Sequence, residues 1–232
     1  MTTLYLVRHD PVVGAGHLDA ALRGRTDVVD VDATAGDLPD VTADDAVLLL
    51  GGRASVVDRP DWMDTELGWL ADVVDREVPT LGLCLGAQLL GAALGGEVAR
   101  RARPEVAIIP LHRTLPGQED DLVAGWPDGG ALPFVHEDEV IRLPAAADQL
   151  LTGSDGPSLW RRGSAYACQA HPEAGPDDVR AWLDAGDGTD FGAAGVDPDE
   201  FVAELERRAA FLRATGASLV LRWLDQVMTA SR

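Results

Sequence analysis

The residues best suited to covalent chemistry in this sequence stand in the run Leu81-Gly82-Leu83-Cys84-Leu85-Gly86. The pattern G-x-C-x-G follows a short apolar segment and precedes a helix-like one. With serine in place of cysteine it is the nucleophile elbow, a sharp strand-to-helix turn that lifts one side chain clear of a sheet. Glycines at both flanks let the backbone turn without colliding side chains. A helix starting at Leu85 aims its N-terminus at the sulfur, which favours thiolate, and its first N–H is placed to hold an oxyanion. The competing reading is that Cys84 is a small buried hydrophobe, as most free cysteines are.

A cysteine nucleophile needs a base, and the base needs an orienting group. The run Gln169-Ala170-His171-Pro172-Glu173 contains both types. Pro172 fixes its own φ and biases His171 towards an extended backbone, so Glu173 could set the imidazole tautomer. Cys168, three positions before His171, falls by strand parity on the opposite face and reads as core. Gly51-Gly52, at the end of another apolar run, is the candidate second oxyanion donor, because glycine permits close approach to the backbone. A tight turn would use the same two residues. His9, His17 and His112 have no ligand-like grouping with Asp or Glu, so no metal and no cofactor are expected.

The elements that must position these groups follow from hydrophobic period. Apolar runs at 3–8, 27–31, 46–52 and 78–84 read as strands. Helical spacing or caps mark 17–24, 60–77 and 85–96. Strands alternating with helices imply a parallel sheet covered on both faces. The pattern changes after residue 100. Residues 105–114 and 131–140 read as strands joined by a Pro/Gly/Asp-rich loop, an antiparallel section beside the parallel sheet. Another strand is expected over 164–173 and a short helix over 176–185. Residues 197–228 read as one long helix or two, broken near Gly216, and 184–199 is the best candidate for a mobile segment. The expected fold is therefore α/β: a mostly parallel central sheet flanked by helices, an added antiparallel section and C-terminal helices. The division is a catalytic domain over 1–185 and a helical extension over 186–232 packed on it.

Composition narrows the function further. The 232 residues carry a formal charge of −20, with 39 acidic against 19 basic side chains. Such a field repels nucleic acid and anionic membranes, so neither is an expected partner. Every basic residue is arginine. Without lysine there is no Schiff-base lysine and no Walker-type phosphate loop. Two cysteines are too few for a disulfide framework. The N-terminus reads as a strand rather than a signal peptide, and no run is long enough to span a membrane, which points to the cytoplasm.

Gly82-Leu83-Cys84-Leu85-Gly86-Ala87-Gln88, Gln169-Ala170-His171-Pro172-Glu173 and the Leu48-to-Gly52 strand end together resemble the class I, or triad, glutamine amidotransferases. The stand-alone relatives of the GMP synthase amidotransferase domain are the most similar flavour. The resemblance spans essentially the whole chain and implies a flavodoxin-like fold. It implies Cys84 as nucleophile towards the side-chain amide of L-glutamine, His171 as base and then acid, and Glu173 as orienter. It also implies Gly52 and Leu85 as oxyanion donors, and Gln88 with Gly51, His136, Glu137 and Asp138 at the substrate. A γ-glutamyl thioester on Cys84 would form and be cleaved by water, and ammonia would pass to a synthetase partner protein. Two departures stand out. The family's G-G-P is Gly51-Gly52-Arg53 here, and its W-H-G-D is Val135-His136-Glu137-Asp138. The extra carboxylate of Glu137 could repel the substrate carboxylate or pair with its ammonium. The alternatives are a γ-glutamyl peptidase using the same triad and a non-catalytic binding relative.

Overall fold

A computed structural model describes residues 2–153 and 155–230. In chain order the strands are β1 (Thr3–Arg8), β2 (Asp27–Asp32), β3 (Ala46–Leu49), β4 (Thr80–Leu83), β5 (Glu97–Pro110), β6 (His112–Arg113), β7 (Ala131–Arg142), β8 (Asp148–Thr152), β9 (Pro157–Arg162) and β10 (Ala165–Cys168). The helices are α1 (Asp19–Arg23), α2 (Asp61–Asp75), α3 (Leu85–Ala93), α4 (Leu115–Glu119), α5 (Pro176–Trp182), α6 (Gly188–Ala194) and α7 (Pro198–Ala230). The main sheet runs β2-β1-β3-β4-β10-β9-β8-β6. Its first five strands are mutually parallel, and the last three continue antiparallel. A separate antiparallel ribbon pairs β5 with β7.

Strand alternation sorts the apolar residues onto two faces. Leu48, Leu50, Leu81 and Leu83 pack on one side with Leu219, Trp223 and Leu224 of α7. Val47 and Leu49 pack on the other with Met63, Leu67 and Leu70 of α2 and Leu85 and Leu89 of α3. All of these are fully or almost fully buried, each contributing about 1.5–3 kcal/mol of transfer free energy. A third cluster joins Val179 and Trp182 of α5 to Phe191 of α6 and Phe201 and Leu205 of α7. Residues 183–230 thus share packing with both the sheet and α5.

Several boundaries differ from the sequence reading. The strand expected at 105–114 begins at Glu97, and a register shift between Arg100 and Glu105 lets it bend. Its partner is β7, and β6 and α4 lie between them in the chain. The strand expected over 164–173 ends at Cys168, so His171 and Glu173 sit on the following loop. The glycine-rich stretch 184–199 carries α6, entered through a kink at Gly186, whose φ of 104° breaks the helical path from α5.

The expected break at Gly216 is absent: α7 is continuous across it. The glycine serves close approach instead. A Cβ there would stand 2.0 Å from the carbonyl oxygen of Pro172. Gly16 does the same from the other side, with φ +50° and a would-be Cβ 2.2 Å from the carbonyl oxygen of Glu173. Two segments far apart in sequence therefore close on His171-Pro172-Glu173.

This contact sets up a paired test. Alanine is a better helix former than glycine by about 1 kcal/mol. Gly68→Ala, in α2 with nothing within 4 Å of the new methyl, should stabilise the protein by about 0.5–1 kcal/mol in urea unfolding. Gly216→Ala should destabilise it, because overpacking of roughly 1–3 kcal/mol exceeds that gain. Equal stabilisation by both would show that α7 does not bear on the Pro172 loop.

Candidate active site

Cys84 occupies the turn between β4 and α3 with φ 48° and ψ −107°. That is a left-handed conformation for a non-glycine residue, costing about 1–3 kcal/mol. Its neighbours leave no other path. A Cβ on Gly82 would lie 2.5 Å from the carbonyl of Gly86, and one on Gly86 would lie 2.6 Å from Cβ of Leu49. The Cys84 N–H donates to the carbonyl of Cys168 at 2.8 Å, which ties the elbow to the end of β10. Leu85 and Gly86 open α3, so their N–H groups have no acceptor within the helix.

The loop after β10 brings His171 and Glu173 to the same end of the sheet. His171 Nδ1 is 2.7 Å from Glu173 Oε1, and both side chains are buried. Gly51 lies against both His171 and Cys84: a Cβ there would stand 2.9 Å from Cε1 of the one and 3.6 Å from Cβ of the other. Trp182 covers the imidazole, with ring centroids 4.8 Å apart. Burial pushes the imidazole pKa down, but the charges of Cys84 and Glu173, and hydrogen bonding to both, outweigh it and hold the ring well above its usual value. Both neighbours thus favour the protonated, imidazolium form of the ring. Cys168, fully buried among apolar neighbours, has its thiol pushed up to about 12, chiefly by that burial.

Gly52 sits beside the elbow, a Cβ on it being 3.1 Å from Cδ2 of Leu85. Arg53 is held by a fork onto Asp10 at 2.6 and 3.1 Å and donates to the carbonyl of Ala185 at 3.0 Å. Burial would raise the Asp10 carboxyl, but Arg53 and the Val12 N–H outweigh it and keep it below the ordinary range.

A cleft of about 150 Å³ opens over Cys84 and is also lined by Gly52, Gln88, His136, Glu137, Asp138 and His171. Most of these polar groups already have partners. Asp138 accepts from the Ser55 hydroxyl at 2.6 Å and the Val57 N–H at 3.2 Å, pinning the loop after β3 to β7. His136 bridges the Asp138 carbonyl and Glu105, at 2.9 and 3.0 Å. Gln88 donates to the Asp138 carbonyl at 2.6 Å. Glu137 faces Arg100 at 3.6 Å; burial raises its carboxyl, Arg100 opposes that, and Asp190 adds to it.

Several neighbours carry no local sequence signal. Asp190 of α6 and Trp182 of α5 also line the cleft, and burial raises the Asp190 carboxyl against an opposing effect of His136. His9 and Glu66, with no side-chain exposure, pair at 2.8 Å across 57 residues of sequence. His9 Nδ1 lies 3.0 Å from the Leu50 carbonyl, so this buried pair grips the strand end that leads to Gly52. Gln169 opens the Q-A-H-P-E run, where its residue type alone suggests no role, yet its Nε2 stands 3.8 Å from Cys84 Sγ. Among the described residues no three His, Cys, Asp or Glu side chains are grouped to hold a metal, and no helix is long and apolar enough to cross a membrane.

With this geometry in view, comparison with known proteins gives a consistent family. The pattern of glutamine amidotransferase class-I matches residues 19–181. The chain is 31% identical over 134 residues to a glutamine-hydrolyzing GMP synthase subunit of Sulfolobus acidocaldarius, covering 56% of this chain and 67% of that one. It is 34% identical over 131 residues to the glutamine-hydrolyzing GMP synthase of a Nostoc species, covering 55% of this chain but only 23% of that protein's length. A glutamine amidotransferase crystal structure from Thermotoga maritima shares the fold with a TM-score of 0.82 at 22% identity, over 96% of this chain and 97% of that one. The chain belongs to the class-I glutamine amidotransferase family.

Proposed function

We propose that the chain hydrolyses the side-chain amide of L-glutamine through a thioester on Cys84 and delivers the ammonia to a synthetase partner protein. The observation that carries this reading is the strained elbow cysteine beside a buried His171–Glu173 pair, in a chain of this family. Sγ of Cys84 attacks the amide carbon, and the N–H groups of Leu85 and Gly52 receive the oxyanion. The His171 imidazolium gives its proton to the departing nitrogen, which leaves as ammonia. Neutral His171 then takes a proton from water, whose oxygen attacks the thioester. Collapse releases glutamate and restores the thiolate–imidazolium pair. Glu173 carries no proton through the cycle; it holds the tautomer and stabilises the cation.

The acidic wall of Glu137 and Asp190 suits the α-ammonium of the substrate. Gly51 makes room for His171, and Gln88, His136 and Asp138 hold the cleft wall in place. The synthetase partner is supported by two facts. The chain is similar to a GMP synthase subunit described as glutamine-hydrolyzing, and the absence of lysine removes a Walker-type phosphate loop from this sequence.

Ammonia release from glutamine should therefore be measurable with the purified chain and should rise when the partner is supplied. Cys84→Ser should remain folded and lose at least ~10³ in turnover. Glu173→Gln should lose less than His171→Ala. Rapid amine release from γ-glutamyl peptides, with little action on glutamine, would overturn the reading in favour of a peptidase.

A pH dependence follows from the raised imidazole. The imidazolium is fully present below the ordinary imidazole value of 6.5 and is lost as pH rises through its raised value in the folded protein. The alkaline fall in turnover should therefore lie well above pH 6.5, and Glu173→Gln should move it towards acid. An alkaline limb unmoved by that substitution would contradict the role given to Glu173.

A further inference from the structure

We infer that Gln169 is a catalytic residue of this site: its side-chain amide donates a hydrogen bond to the Cys84 sulfur and favours thiolate over thiol. This rests on the proposed role of Cys84 as nucleophile. Parallel pairing sets Cys168 beside Leu83, so one step further along the two strands Gln169 comes beside Cys84. Gln169 is held there by its own N–H, which donates to the Ser158 carbonyl at 2.9 Å, and its side chain is buried. Its Nε2 reaches Cys84 Sγ at 3.8 Å, a distance suited to a large, polarizable acceptor.

Which end of the amide faces the sulfur is decided by its neighbours. The Asp138 carbonyl can only accept, so the Gln88 amide must turn its NH₂ towards it, at 2.6 Å. That same nitrogen lies 3.5 Å from Gln169 Oε1. Rotating the Gln169 amide by half a turn would oppose two NH₂ groups and aim a carbonyl at the sulfur. The chain from the Asp138 carbonyl through Gln88 to Gln169 therefore leaves Nε2 as the end that meets Sγ.

The direction matters because the sulfur has a rival partner. The Val135 carbonyl oxygen is also 3.8 Å from Sγ. It accepts from a thiol and repels a thiolate. His171, with Glu173 behind it, and the opening turn of α3 also border Cys84. Cys168 is kept as a thiol by its burial, and the carboxylates of Glu137 and Asp138 border the cleft. Gln169 is the neutral donor that opposes the carbonyl of Val135 and adds to the attraction of the imidazolium. It also explains how Gln88, one helical turn beyond the elbow, can influence the nucleophile without touching it.

The test is the pH–rate profile for alkylation of Cys84 by iodoacetamide, in which the thiolate forms the S–C bond and iodide departs. It needs no glutamine turnover, and ammonia release from glutamine by the wild type decides the glutaminase reading separately. Gln169→Met keeps the shape and removes the donor; its midpoint should move up by about one pH unit, a tenfold smaller thiolate fraction below it. Gln169→Glu replaces the donor with a charged acceptor of the same size and should move the midpoint further. Peptide mapping confirms that Cys84 carries the label, and thermal unfolding checks each variant. The inference requires the order wild type, Met, Glu. It is overturned by profiles that coincide with wild type, or by equal midpoints in the two variants, which would report a loosened pocket rather than a lost hydrogen bond.

Discussion

The site depends on one backbone constraint, the left-handed conformation of Cys84. Strain of about 1–3 kcal/mol persists only where the surroundings allow nothing else. Here Gly82 and Gly86 touch with no room for a side chain, Leu49 closes the space beneath, and the carbonyl of Cys168 holds the Cys84 N–H. The same turn brings the sulfur to the cleft, starts α3 beneath it and leaves the N–H groups of Leu85 and Gly86 without acceptors inside the helix. A relaxed residue at 84 would turn the side chain away from His171 and lose all of these at once.

The remaining parts of the fold bring partners to that point. The strand order β2-β1-β3-β4-β10 places the carboxyl ends of β1, β3, β4 and β10 side by side, where open parallel sheets bind ligands. His9 and Asp10 follow β1, Gly51 and Gly52 follow β3, Cys84 follows β4 and His171 lies on the loop after β10. The loop that carries His171 and Glu173 is braced twice, by Gly16 against the Glu173 carbonyl and by Gly216 against that of Pro172. The β5–β7 ribbon supplies the opposite wall, tied down through Asp138 to Ser55 and Val57. Cys84 and His171 therefore rest on the packed sheet end, while the acidic wall of the cleft is carried by the ribbon and by α6.

What could be read from the sequence was what local chemistry encodes. The elbow shows itself because its tight turn needs glycines on both sides of Cys84, and the His171–Glu173 pair because a single proline separates them. The parallel sheet shows itself in alternating apolar runs. What could not be read depends on closure in space. His9 and Glu66 are 57 positions apart and meet only through the packing of α2 on the sheet. Gly216 looked like a helix break because glycine is a poor helix former, yet its reason is a carbonyl 2.0 Å from where a methyl would be. Asp190 lay in a glycine-rich stretch whose helical state arises from Phe191 packing on Phe201. The arginine after Gly52 looked like a bare departure until its fork onto Asp10 appeared.

The most direct measurement of the central claim is to trap the covalent intermediate. The chain is mixed with glutamine, quenched in acid within the first turnovers, digested and examined by mass spectrometry. The account predicts one γ-glutamyl group in thioester linkage on Cys84, removable by hydroxylamine, and none on Cys168. Steady ammonia release with Cys84 never modified, or release unchanged when Cys84 is replaced by alanine, would contradict it.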